Sequence, residues 1–209
     1  MAIRGNILKI VLSAAGFAFV LAAGPSDVSA QRRARGGADY SGPLVARAQS
    51  VTGDVFRVAT RTPQGARVFA RSEPRVETLQ AVDRGLSELF AVARRNGYRA
   101  RLNHADYTVF VARPDRVRNR DGQYSPDIAV GSAQYAGSVY DQGGYVYASG
   151  MVISTQQSAF IIAEHERDWH RVSDVARYEG EHLVLYHNDR RRYEATKDHS
   201  QGGGHPILQ

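Results

Sequence analysis

Residues 72–97, SEPRVETLQAVDRGLSELFAVARRNG, read as one amphipathic helix. Ser72 offers a cap and Pro74 suits the first turn. Val76, Leu79, Val82, Leu86, Leu89, Phe90 and Ala93 then recur every three or four residues. Arg94 and Arg95 complement the negative end of the helix dipole, and Gly97 suits the stop. A helix with one apolar stripe must bury it against a sheet or a second helix.

Strand patterns lie on both sides of this helix. Val55 to Thr60 and Arg67 to Arg71 flank Thr62-Pro63-Gln64-Gly65. That stretch has turn chemistry, since proline presets one φ angle and glycine permits a positive one, so the spacing predicts a hairpin. Tyr107 to Ala112 reads as a strand stopped by Pro114, and Arg113 to Pro126 as an exposed loop. Tyr135 to Tyr140 and Tyr145 to Ser149 flank Asp141-Gln142-Gly143-Gly144, a second hairpin signal. Met151 to Ser154 and Ala159 to Ala163 add two more strands, and Arg171 to Asn188 a C-terminal helix. The order predicts an α+β fold, a mainly antiparallel sheet packed with two principal helices. The tyrosines Tyr135, Tyr140, Tyr145 and Tyr147 suit strands and also suit a stacking platform.

The N-terminus has a different character. Arg4 and Lys9 precede an apolar run from Ile10 to Ala23, and Val28-Ser29-Ala30 supplies small residues for a signal peptidase. Residues 1–30 are therefore expected to be a signal peptide cut after Ala30, which makes the protein exported, periplasmic or extracellular. The apolar run falls short of the roughly 20 residues that span a bilayer, so no membrane span is expected after cleavage. Residues 31–43, polar and rich in glycine, read as a disordered arm, and residues 44–209 as a single α+β domain. The chain has no cysteine, which excludes disulfides and thiolate chemistry. Its net charge is +6, carried by arginine except at Lys9 and Lys197. Arginine favours planar anionic partners. An anionic envelope polymer or a protein fits that surface; no nucleic-acid signature is present.

Six of the seven histidines lie beyond residue 164. Without cysteine, imidazole and carboxylate are the strong ligands left for a transition metal. A helical wheel over 171–188 gathers Val172, Val175, Ala176, Leu183 and Tyr186 on one face, with Glu179 and His182 in its middle. Ser173, Asp174, Arg177 and Glu181 fall on the other side; Val184 and Leu185 break the pattern and point to burial on more than one side. A carboxylate on a core-facing stripe needs a partner or a metal.

Residues Arg177-Tyr178-Glu179-Gly180-Glu181-His182 resemble a degenerate form of the His-Glu-x-x-His helix of zincin metallopeptidases, within a likeness that covers at most residues 74–209. The resemblance implies zinc on His182 and Glu179 as the general base. Tyr178 stands where the first histidine belongs, and a phenol, which keeps its proton at neutral pH, is a weak substitute. Zinc needs three protein ligands in such a site. Candidates lie downstream: His187 follows at the helix end, and His199 and His205 bracket Ser200-Gln201-Gly202-Gly203-Gly204, a glycine-rich loop that can fold back and bring His199 or His205 to His182. Pro206-Ile207-Leu208 is apolar enough to dock.

The expectation is thus an exported protein with a degenerate zincin-like metal-binding domain whose peptidase activity is weak or absent. If it is an enzyme, it is a metal-dependent hydrolase. The alternative is a non-catalytic envelope protein that binds a partner or serves a structural role. A third reading, a nuclease built on His187, Asp189 and Arg190 to Arg192, requires those residues around an open groove. His165 and His170 read as a surface turn.

Overall fold

The computed structural model describes residues 42–114, 127–131, 145–165, 167–199 and 203–208. The expected signal peptide, most of the expected arm, and the first strand and turn of the second expected hairpin lie outside these residues.

The elements run α1 (Pro43–Thr52), β1 (Val58–Arg61), β2 (Arg67–Ala70), α2 (Val76–Arg95), a 3-10 turn (His104–Asp106) and β3 (Thr108–Ala112). They continue with β4 (Ile128–Gly131), β5 (Tyr145–Ala148), β6 (Gly150–Ser154), β7 (Ala159–Ala163), α3 (Trp169–Asn188) and α4 (Arg190–Thr196). The class is α+β. Five strands form one sheet in the order β1-β2-β3-β7-β6, and β4 pairs with β5 in a small antiparallel sheet.

The five-stranded sheet is mixed. Its edge pairs β1/β2 and β6/β7 are antiparallel, and its central pairs β2/β3 and β3/β7 are parallel. Helix α2 is the reason for the first parallel pair. A chain that leaves β2, crosses the sheet as a helix and returns beside it arrives in the same direction. The second brings Thr108 opposite Ala159, partners far apart in sequence. Strands β3 and β7 are buried along their whole length, as apolar runs covered on both faces must be.

Alternation along these strands divides the core. Val68, Val109, Val111, Phe160 and Ile162 face α2 and α3. Phe69, Phe110, Ala112, Ile161 and Ala163 face α1 and β4. On that second side the Phe110 ring stacks on Phe69 and meets Phe56 edge-on, each at 5.1 Å between centroids. Each such buried ring contributes about 1.5–3 kcal/mol through area removed from water.

The first hairpin forms as expected, with Arg61 opposite Arg67. Helix α2 starts later than expected: Arg75 is its N-cap without a side-chain cap bond, so Ser72 and Pro74 precede it. Gly97 follows its end at φ +85°, the left-handed value that favours glycine. Among the described residues no helix is long and apolar enough to cross a membrane.

Helices α2 and α3 pack against each other at close range. A Cβ on Gly85 of α2 would lie 2.2 Å from the Ser173 carbonyl oxygen. A Cβ on Gly180 of α3 would lie 2.6 Å from Leu89 Cδ2. Backbone cannot yield as a leucine tip can. Gly85→Ala is therefore expected to cost on the order of 1–3 kcal/mol, the range of overpacked cores, and Gly180→Ala less. Urea unfolding of both variants checks the order; equal losses would refute it.

Candidate metal centre

Helix α3 positions the site because its sequence leaves it little exposed surface. Asp168 caps it by accepting from Arg171 N–H at 3.0 Å. One side packs on β6, β7 and α2 through Val172, Val175, Ala176 and Leu183. Val184 and Leu185 are buried as well, so the break in the wheel does mark burial on more than one side. Ser173 and Glu181, expected on the polar side, are also buried, and Glu181 is 0 % exposed. Ser173 is covered by α2, where Gly85 and Arg84 meet it, and Glu181 by the C-terminal segment, which lies over that part of the helix.

That segment returns as its glycines allow. Gly203 N–H donates to Asp198 O at 2.9 Å, and Gly204 N–H to Thr196 O at 3.2 Å. A Cβ on Gly203 would stand 2.3 Å from Thr196 O, so only glycine fits against the end of α4. Ile207 then joins the core with 8 % exposure, and its N–H donates to Glu181 Oε1 at 2.8 Å.

The result is a cluster of three imidazoles. One nitrogen from each of His182, His199 and His205 lies within 4.8 Å of the others. The ring centroids are 4.8 Å apart for His182/His205 and His199/His205, and 5.1 Å for His182/His199. These are the three residues the sequence nominates as ligands. His182 is buried, His205 half-buried and His199 exposed. Burial, followed by the neighbouring His205 and His199, pushes the His182 imidazole down to about 3, so it is neutral and ready to donate a lone pair. Partial loss of solvent around its ring, then His205, also lower His199. His182 Nδ1 is buried without a hydrogen-bond partner. Three clustered imidazoles, two of which (His182 and His205) bury an Nδ1 without a hydrogen-bond partner, suit a borderline-soft cation such as zinc. Zn–N bonds of about 2.0–2.1 Å need the nitrogens closer still.

Comparison with protein-family models, curated proteins and solved structures finds no match.

The cluster opens on a cavity of about 950 Å³ that runs along α3 and β6 and takes in Tyr147, Arg171, Tyr178 and Glu179. Glu179, the expected general base, is half-buried and lies over Gly150, where a Cβ would meet its Cγ at 2.7 Å. Burial pushes its carboxyl up to about 8, against a hydrogen bond from Val152 backbone. Tyr178, in the position of the missing histidine, rests its ring 4.6 Å from His205 and is 37 % exposed. Sequence reasoning missed Glu181, whose Oε2 sits 3.0 Å from His205 Nδ1. Ser149 and Asp127, which hold Arg171 at the far end of the cavity, were also unforeseen.

The remaining histidines serve other ends. His187 Nε2 approaches Thr155 O at 3.0 Å and Ser158 Oγ at 3.3 Å, which braces the β6–β7 turn. Asp189 caps α4 through Arg192 N–H and accepts from the Tyr98 hydroxyl. His187 and Asp189 are both half-buried, and neither lines the cavity beside the histidine cluster. His165 is buried, not on a surface turn; His170 is exposed, 3.6 Å from Asp174. His104 joins Ser87 and Asp83, but both approach its Nε2, which leaves no relay through the ring.

Glu179 makes metal-free stability depend on pH. Below pH 4.5 the carboxyl is protonated in both states and its contribution is complete. From pH 4.5 to about 8 the unfolded chain releases the proton and the folded chain holds it, so stability falls. Glu179→Gln removes that loss. In chelator, its melting temperature is expected to rise relative to the parent protein between pH 5 and pH 8; a constant difference would contradict the assignment.

Proposed function

We propose that this chain is an exported zinc-binding protein with a degenerate zincin-like centre. His182, His199 and His205 hold the ion, and Glu179 lines the cavity that gives access to it. The observation that carries this reading is the convergence of three imidazoles, from α3 and from two points of the C-terminal segment, beside an open cavity. The two tail histidines take the place of the ligand that Tyr178 lacks.

Bound zinc would supply Lewis acidity toward a carbonyl oxygen. Glu179, at i and i+3 from His182 on one helix, shares its face and is the group placed to accept a proton from an attacking water. The cation's charge favours its carboxylate form, opposing the burial that raises it. Tyr178 supplies no first-motif ligand, and the proposal assigns peptidase activity that is weak or absent. A second reading is favoured by the ligand set itself: two of three donors belong to the C-terminal segment, as in a structural clip. On that reading the zinc fastens the fold of a non-catalytic envelope protein.

Elemental analysis of the protein purified from the exported fraction tests the proposal. Near one zinc per chain is expected, lost in His182→Ala and retained in Glu179→Gln, on a chain that mass spectrometry finds to begin at Gln31. No metal, and no uptake of added zinc, would reject it. Hydrolysis of peptides by the parent but not by Glu179→Gln would favour the enzyme over the clip.

A further inference from the structure

Glu181 has no part in the metal reading so far, yet its position demands an account. It is a carboxylate with 0 % exposure inside a helix. Such a group is costly to bury unless its oxygens find partners. Oε1 has one, the Ile207 N–H at 2.8 Å. Oε2 faces Nδ1 of His205 at 3.0 Å, but the two are not aligned as a hydrogen bond. Each therefore lacks a satisfied partner and lies within reach of the other.

We infer that Glu181 is a positioning residue for the metal centre, accepting the Nδ1–H of His205 so that Nε2 is presented to the ion. This rests on the zinc reading of the three-histidine cluster. A metal-bound histidine almost always donates its second ring N–H to a carboxylate, carbonyl or water, which sets the tautomer and increases ligand basicity. The described geometry needs only a turn of the His205 ring to align that bond. Glu181 and His182 are neighbours on α3, so consecutive residues serve the centre differently. One binds the ion, and the other reaches past it to steer a ligand from the C-terminal segment. Through Oε1 the carboxylate also anchors that segment at Ile207.

The two roles separate by substitution. In Glu181→Gln the side-chain oxygen still accepts from Ile207 N–H, so the segment stays docked. The amide NH2 then faces the Nδ1–H, donor against donor. Zinc affinity of the full chain, measured by competition with a chromophoric chelator, is expected to fall roughly 10–100-fold in Glu181→Gln. In a His205→Ala background the same change is expected to have little further effect, because its target is gone. In the zinc-loaded parent protein, ¹⁵N imidazole spectra are expected to show His205 protonated at Nδ1 and metal-bound at Nε2. Unchanged affinity in Glu181→Gln, an undiminished penalty in the His205→Ala background, or a metal on Nδ1 would each overturn the inference while leaving the centre intact. A parent protein that takes no zinc would overturn the centre and this inference with it. The spectra decide the matter on unmodified protein if Glu181→Gln does not fold.

Discussion

Enclosure of α3 governs the rest of the molecule. The helix lies on β6 and β7, crosses α2 where Gly85 and Gly180 allow backbone and side chain to meet, and is covered by the C-terminal segment. On the enclosed sides of such a helix, polar side chains cannot be left to water. Each must face another element's polar group or a cavity. His182 meets two imidazoles, Glu181 meets an imidazole and a backbone N–H, and Glu179 meets the backbone of β6 and the cavity. The chemistry of the site is what remains when one helix is buried with its polar residues in place.

Local pattern made much of the fold legible. Helix α2 carries a clean stripe over five turns, and the hairpin before it has a proline and a glycine at the positions a turn requires. Strands β3, β6 and β7 are apolar runs bounded by turn formers. Helix α1 has too few apolar positions to announce itself, and β4 is four residues beside a charged stretch. The parallel centre of the sheet escaped because direction is a property of pairing. Runs such as TVFVA and AFIIA, apolar on both faces, hinted at it.

The histidine cluster was legible for a chemical reason. A chain without cysteine that gathers histidines around a glycine-rich loop has few other ways to hold a metal. Glu181 was hidden because a helical wheel assumes one wet side, and here six residues of the C-terminus keep water from it. The burial of His165 and the engagement of His187 in a turn were equally invisible, since both depend on elements distant in sequence.

The pairing of β3 with β7 has a consequence for how such a chain can vary. Residues 113–149 join β3, a central strand, to β6, the edge strand on the far side of β7, so they are an excursion between two strands that do not pair. Lengthening an excursion is cheap, about 0.6 kcal/mol for each doubling of a flexible loop. Tyr147 and Ser149, at its end, line the cavity, whereas His182 sits on a helix that tolerates no change of length. The wall of the cleft is thus the part of the molecule open to remodelling, with the histidine-bearing helix as its fixed side. Chains built on this plan can trade one cleft for another without disturbing the three imidazoles at its end.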